Sequence, residues 1–177
     1  MTDADLASEL ALSAGRILLE LRESGKFEGK ELGKAGDEAA NAFLVRALRE
    51  QRPEDGLLSE ESKDAAERLE KSRVWIVDPV DGTREYGEGR PDWAVHVALA
   101  IDGVATTGAV ALPGLDGGLV LRTDKIDKFP VHDGPPRLVV SRTRPAAEAV
   151  SVAGRLGGQL VPMGSAGAKA MAVVRGE

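Results

Sequence analysis

Apolar positions in the first fifty residues recur at intervals of three and four, the period of an amphipathic helix. Leu6, Leu10, Ala14, Leu18 and Leu21 mark a first helix that opens after Thr2, an N-cap type of residue, and ends near Gly25. A glycine-studded stretch follows to Gly36. Ala40, Phe43, Leu44, Ala47 and Leu48 then predict a second helix that starts around Asp37, with Pro53 beyond its end. Leu57-Leu58-Ser59 reads as a short strand, and 64–71 as a short helix with a capping box of Asp64 and Glu67. Next, Val74-Trp75-Ile76-Val77 is apolar and β-branched. Asp78-Pro79 closes it as a strand ending in a turn, because proline disfavours helical geometry in the residue before it. Segments 93–101 and 104–112 flank Asp102-Gly103, a strong hairpin signal, and 118–122 adds a third strand, so an antiparallel meander is expected. The polar, proline-bearing stretch 123–136 reads as a domain boundary. Beyond it, 138–140, 145–156, 159–161 and 165–175 alternate as strand, helix, strand and helix, the beginning of an α/β unit.

Composition narrows the function classes. The net charge of −6 argues against a nucleic-acid-binding surface, and a 42% hydrophobic content is enough to bury a core. The absence of cysteine excludes disulfides and Cys-ligated zinc or iron–sulfur sites, and two histidines, His96 and His132, make a His-rich metal site unexpected. The N-terminus lacks the basic and apolar regions of a signal peptide, and no apolar run approaches the roughly 18 residues of a membrane span. A cytoplasmic protein with no membrane partner is the expectation.

The chemistry concentrates in Asp78-Pro79-Val80-Asp81-Gly82-Thr83, with Ser59-Glu60-Glu61-Ser62 one strand and one helix upstream. Two carboxylates three apart on a proline-stiffened turn can converge on one point with the Val80 carbonyl between them. Glu60, from the end of a neighbouring strand, adds a further oxygen, and hard cations such as Mg²⁺ take such ligands. Gly82 has no Cβ to hold the main chain away from a phosphate, and Thr83 offers a hydroxyl beside the metals. Taken singly, each residue also fits an ordinary turn or a solvated surface pair. Together, after a buried strand, they point to phosphoryl chemistry supported by two or more divalent cations. His96 reads as a packed strand histidine, Trp75 and Trp93 as core, and Lys34 as a solvated lysine.

The string Trp75-Ile76-Val77-Asp78-Pro79-Val80-Asp81-Gly82-Thr83-Arg84-Glu85-Tyr86, preceded by Leu58-Ser59-Glu60-Glu61-Ser62, resembles the lithium-sensitive, magnesium-dependent phosphatases of the inositol monophosphatase superfamily. Arg84-Glu85-Tyr86 is similar to the 3′(2′),5′-bisphosphate nucleotidase branch, where inositol monophosphatases usually have Thr-Asn-Phe. Val140-Ser141-Arg142, and Gly164-Ser165 with Lys169 nearby, resemble that branch too. The resemblance implies a layered α-β-α-β-α sandwich, with an N-terminal metal-binding α+β domain over 1–130 and the incomplete start of a C-terminal α/β domain over 137–177.

It also implies roles for the matching residues. Glu60, Asp78 and the Val80 carbonyl would hold one Mg²⁺, Asp78 and Asp81 a second, and Glu60 a looser third. Asp37 and Thr83 would orient and activate the attacking water. Substrate contacts would come from Glu60, Val80, Asp81, Gly82, Thr83, Arg142 and Ser165, with the Gly82 and Thr83 amides receiving the phosphate. The small phosphorylated substrate implied is adenosine 3′,5′-bisphosphate, losing its 3′-phosphate in the service of sulfur assimilation, and a homodimer is typical of the family. The alternatives are an inositol-1-phosphate or fructose-1,6-bisphosphate phosphatase on the same scaffold, or an inactive metal-binding fragment. A haloacid-dehalogenase-type phosphatase wants two aspartates separated by one residue, whereas two residues separate Asp78 and Asp81. Family members normally continue into a Trp-Asp-x-Ala-Ala segment whose aspartate completes the second metal site. The sequence stops at Glu177, so weak or absent catalysis is expected of this form alone. Asp81→Asn is expected to abolish Mg²⁺-dependent turnover with little loss of folding.

Overall fold

The computed structural model describes residues 1–63, 65–115, 118–125 and 132–177. Helix α1, Asp3–Glu23, opens where the Thr2 hydroxyl accepts the Asp5 amide at 3.1 Å, the N-cap expected there. Helix α2, Gly29–Gln51, begins well ahead of Asp37, which corrects the expected start and places Asp37 inside the helix. Close neighbours explain the glycines of its first turns. A Cβ on Gly33 would lie 2.9 Å from Thr83 Cγ2, and one on Gly36 would lie 2.5 Å from Tyr86 Cε1. Each glycine costs the helix about 1 kcal/mol relative to alanine. In return, the short helix α3, Thr83–Gly87, lies directly against α2.

Strand β1, Gly56–Ser59, runs parallel to β2, Arg73–Asp81. Between them a 3₁₀ turn, Ala66–Glu70, replaces the expected α-helix; its N-cap, Ala65, makes no side-chain bond, and Asp64 of the expected capping box lies outside the described residues. Strands β3 (Ala94–Ile101), β4 (Val104–Leu112) and β5 (Leu119–Arg122) continue antiparallel, giving the order β1-β2-β3-β4-β5. Asp102 and Gly103, at φ 50° and 78°, form the left-handed turn expected of Asp-Gly. Of the expected boundary stretch, 126–131 lie outside the described residues.

Contrary to the expected stop at Asp78-Pro79, β2 continues to Asp81. Asp78 pairs with His96, the register slips, and pairing resumes at Asp81 with Ala94, so three steps along β2 match two along β3. That is a β-bulge with one extra residue, a position where a proline without an N–H is tolerated. Strict alternation would turn Asp78 and Asp81 to opposite faces of the sheet; the extra residue returns them to the same one.

The opposite face of β2 and β3 carries Trp75, Val77, Val95, Val97 and Leu99 into a core with Leu6, Leu10 and Leu18 of α1 and Leu44 and Leu48 of α2. Each large apolar side chain buried there contributes about 1.5–3 kcal/mol. Trp75 and Trp93 are core residues, as expected. The Trp75 indole donates to Asp55 at 2.8 Å, and the Tyr86 hydroxyl donates to the Leu18 carbonyl at 2.8 Å while its ring meets Trp93 edge-on at 5.0 Å.

A second, parallel sheet pairs β6 (Arg137–Ser141) with β7 (Gln159–Met163). Helix α4, Ala147–Leu156, connects them and ends at Gly157, φ 61°. Helix α5, Ala166–Val174, touches β3 and β4 of the larger sheet and β6 of the smaller, with Ala168 packed against Ala94 and Leu112. The fold is thus mixed α/β and layered: α1 and α2, the larger sheet, α5, the smaller sheet, then α4. Among the described residues no helix is long and apolar enough to cross a membrane.

Candidate active site

The bulge of β2, the loop after β1 and the middle of α2 meet at one end of the larger sheet. Asp78, Asp81 and His96 each offer a ligand atom, all within 4.8 Å of one another. Glu60 lies beside Asp78, close enough to hydrogen-bond it. Its loop is tied to α2 through Asn41, whose Oδ1 accepts the Ser59 hydroxyl at 2.7 Å and whose Nδ2 donates to Ser62 at 3.0 Å. One helical turn before Asn41, Asp37 shares the same face of α2. The Thr83 hydroxyl stands 3.4 Å from Asp37 Oδ1 and 3.0 Å from the Val80 carbonyl.

Crowding of like charges dominates the electrostatics. Burial and the neighbouring Glu61 and Glu60 push the Asp37 carboxyl up to about 7, outweighing the hydrogen bond from Thr83. Burial, Glu60 and Asp81 likewise push Asp78 upward, against the opposing influence of His96. Carboxylates this close repel one another unless a cation stands between them. Their oxygens, together with the Val80 carbonyl, are the donor set of a hard divalent ion, so the residues present fit Mg²⁺.

Asp81 behaves differently. Burial works upward on it too, but hydrogen bonds from His96, the Gly167 amide and Ser165 prevail and bring it down to about 2. Its Oδ2 accepts from Ser165 Oγ at 2.8 Å, from His96 Nε2 at 3.1 Å and from the Gly167 amide, while Oδ1 accepts the Ala166 amide at 3.1 Å. The carboxylate therefore also caps the N-terminus of α5, where negative charge is favoured.

The other residues singled out in the sequence are held by specific partners. Gly82 sits at φ 93°, and a Cβ there would lie 3.0 Å from Ser165 Cβ. The Ser165 hydroxyl donates to Asp81 and accepts the Ala168 amide at 2.9 Å. Arg142 does not join the carboxylate cluster; its guanidinium donates to Glu85 and Glu88, each at 2.8 Å. Lys169 donates to the Gly164 and Ser165 carbonyls, and exposed Lys34 faces Glu38 at 3.8 Å. His96, expected as a packed strand residue, instead bonds Asp81 with 29% of its side chain exposed. Pro79 marks an interruption of β2, but the slip that turns Asp81 to the face of His96 is set by the pairing with β3.

Asp92 gave no sequence signal. Buried, it binds Arg90 through both oxygens at 2.7 and 2.9 Å and accepts the Gly164 amide at 2.6 Å, anchoring the loop before Ser165. Burial works upward on its carboxyl, but Arg90 and the Gly164 amide hold it below 3.8. The stability it contributes is therefore present above that value and lost as pH falls through the depressed one. Asp92→Ala is expected to cost about 1.5–3 kcal/mol at pH 7, read in denaturant melts, the range for hydrogen bonds to a charged group. An unchanged midpoint would remove Asp92 from the anchoring role.

The model of the inositol monophosphatase family matches residues 2–157. The chain is 48% identical over 191 aligned residues to a 3′-phosphoadenosine 5′-phosphate phosphatase of Mycobacterium leprae, covering 100% of this chain and 70% of that protein. It is also 48% identical over 173 residues to a protein of the same name from Mycobacterium bovis, covering 92% of this chain and 64% of the other. The chain thus spans 64–70% of the length of these curated relatives. Among solved structures, CysQ from Bacteroides thetaiotaomicron, a bacterial member of the inositol monophosphatase family, is similar with a TM-score of 0.77 and 24% identity over 98% of this chain and 76% of that one.

Proposed function

This chain belongs to the inositol monophosphatase family, and we propose that it is a metal-dependent phosphomonoesterase that removes the 3′-phosphate of adenosine 3′,5′-bisphosphate. The observation that carries this reading is the gathering of Asp37, Glu60, Asp78 and Asp81 around the β2 bulge, with two of those carboxyls displaced upward by burial and mutual repulsion. The 48% identity to relatives named 3′-phosphoadenosine 5′-phosphate phosphatase supports the substrate. We read 1–130 as the metal-bearing domain and 137–177 as part of a second.

Glu60, Asp78, Asp81 and the Val80 carbonyl would hold two or three Mg²⁺ ions. Such ions, when bound, neutralise charge on the phosphoryl group and acidify a water. Thr83 takes a proton from the attacking water as its own passes to Asp37. The 3.4 Å separation is one that tightens when substrate is bound. The water oxygen forms a new bond to phosphorus, the ester P–O bond breaks, and the leaving 3′-oxygen takes a proton from solvent. The Gly82 and Thr83 amides receive the phosphate. Ser165 and Arg142 reach substrate by exchanging the bonds they make to Asp81 and Glu85.

Phosphate release from adenosine 3′,5′-bisphosphate, inositol 1-phosphate and fructose 1,6-bisphosphate, each with Mg²⁺ or with a chelator, tests the reading. The bisphosphate nucleotide is expected to lead by about tenfold or more in kcat/KM, equivalent to about 1.4 kcal/mol, with turnover lost in chelator. A different leading ester overturns the substrate, and undiminished turnover in chelator overturns the metal dependence.

A further inference from the structure

His96 reaches Asp81 through the register of the sheet. It pairs with Asp78 across the β2–β3 ladder, and the bulge returns Asp81 to the same face, leaving Nε2 3.1 Å from Asp81 Oδ2. An ionised carboxylate only accepts, so Nε2 carries the proton and donates. Space for the ring comes from Gly167, where any Cβ would run into the imidazole. The remaining donors to Asp81 are Ser165 Oγ and the Ala166 and Gly167 amides, all at the start of α5. Among the described residues, His96 is the donor that shares a sheet with Asp81.

These donors have different consequences for a cation. Among the described residues Asp81 Oδ1 accepts the Ala166 amide alone and keeps a lone pair for an ion shared with Asp78, while Oδ2 is taken by Ser165, His96 and Gly167. A carboxylate with fewer tethers rotates more freely about its side-chain bonds, and the entropy of ordering it on an ion weakens binding. A donor fixed on β3 restricts that rotation. Its nitrogen, committed to the carboxylate with its proton, has no lone pair to offer a metal, and the ion considered prefers oxygen in any case.

We propose that His96 is a positioning residue that holds the Asp81 carboxylate turned toward Asp78, so that both carboxylates reach one divalent cation. The inference rests on the reading of Asp78 and Asp81 as cation ligands. Loss of an outer hydrogen bond of this kind typically weakens metal affinity 10–100-fold.

Mn²⁺ binding to the 177-residue chain, followed by electron paramagnetic resonance without substrate, tests it. His96→Phe keeps the bulk of the ring and removes the donor; its Mn²⁺ affinity is expected to fall about 10–100-fold. His96→Gln places an amide N–H where Nε2 stood and is expected to bind close to wild type. Should the phenyl ring prevent folding, seen as a missing thermal transition, His96→Ala is the second donor-less variant with the same expected loss. Wild-type affinity in a folded donor-less variant overturns the proposal. So does a loss in His96→Gln as large as in His96→Phe, which would make the imidazole itself the ligand. A wild-type chain that binds no Mn²⁺ overturns the cation site itself, an outcome separable from the other two.

Discussion

Asp81→Asn is expected to abolish divalent-cation-dependent phosphate release and also to lower the melting temperature of the cation-free chain. The first effect follows from removing a ligand charge that cannot be replaced by a neutral amide oxygen. The second corrects what residue types alone suggest, an isosteric change with little effect on folding. In the structure Asp81 closes the N-terminus of α5 with both oxygens, accepting from His96, Ser165, Ala166 and Gly167. An asparagine turns an NH₂ group toward some of those donors and removes the charge favoured at a helix start. The carboxyl is held at about 2 against an ordinary 3.8. With an allowance for screening at its partly exposed edge, that difference corresponds to about 2 kcal/mol. A depressed value contributes stability above the unfolded value and loses it as pH falls. The gap between wild type and variant should therefore be full at pH 7 and close between 3.8 and about 2. Melts in chelator from pH 3 to 7, beside a phosphate-release assay, measure both effects. A variant that melts with wild type removes the capping role, and one that turns over near the wild-type rate removes Asp81 from the ligands.

That correction marks what the sequence carries and what it does not. Residues 78–83 are consecutive, so their oxygen donors are visible as a string. The Asp-Gly hairpin and the Thr2 cap are equally local, and both fold as read. The start of α2 was not legible because the reason for Gly33 and Gly36 lies with Thr83 and Tyr86, which touch them only in the folded chain. The same holds for the bulge: Pro79 signals an interruption, but only the pairing of β3 decides whether the strand ends or slips by one residue. His96 and Asp92 depend on partners brought together by the sheet and by the loop before α5, so neither residue stands out in a linear pattern.

Asp37→Asn is expected to slow phosphate release about 10²–10⁴-fold, the range for loss of a general base, while making the cation-free protein more stable at pH 8. The two effects have one origin. Asp37 sits half-buried between Glu61, Glu60 and Thr83, and ionising it there is unfavourable, which is why its carboxyl rests near 7. A raised folded value means that the folded state holds a proton the unfolded chain has released. The contribution to stability is full below 3.8 and disappears as pH rises through about 7. The unscreened linkage would be about 4 kcal/mol; because the carboxyl is half exposed, about 1–2 kcal/mol is the expected advantage of the variant at pH 8. Asparagine resembles the protonated acid, so wild type and variant should melt together near pH 4. Mg²⁺ adds a further distinction: an ion among the carboxylates relieves their repulsion, so wild type should gain more melting temperature from saturating Mg²⁺ than the variant does. Equal stability of the two proteins at pH 8 in chelator would mean that Asp37 carries no electrostatic burden. A variant that keeps the wild-type rate would leave Thr83 without its proton acceptor and would require the base to be sought among Glu60 and Glu61.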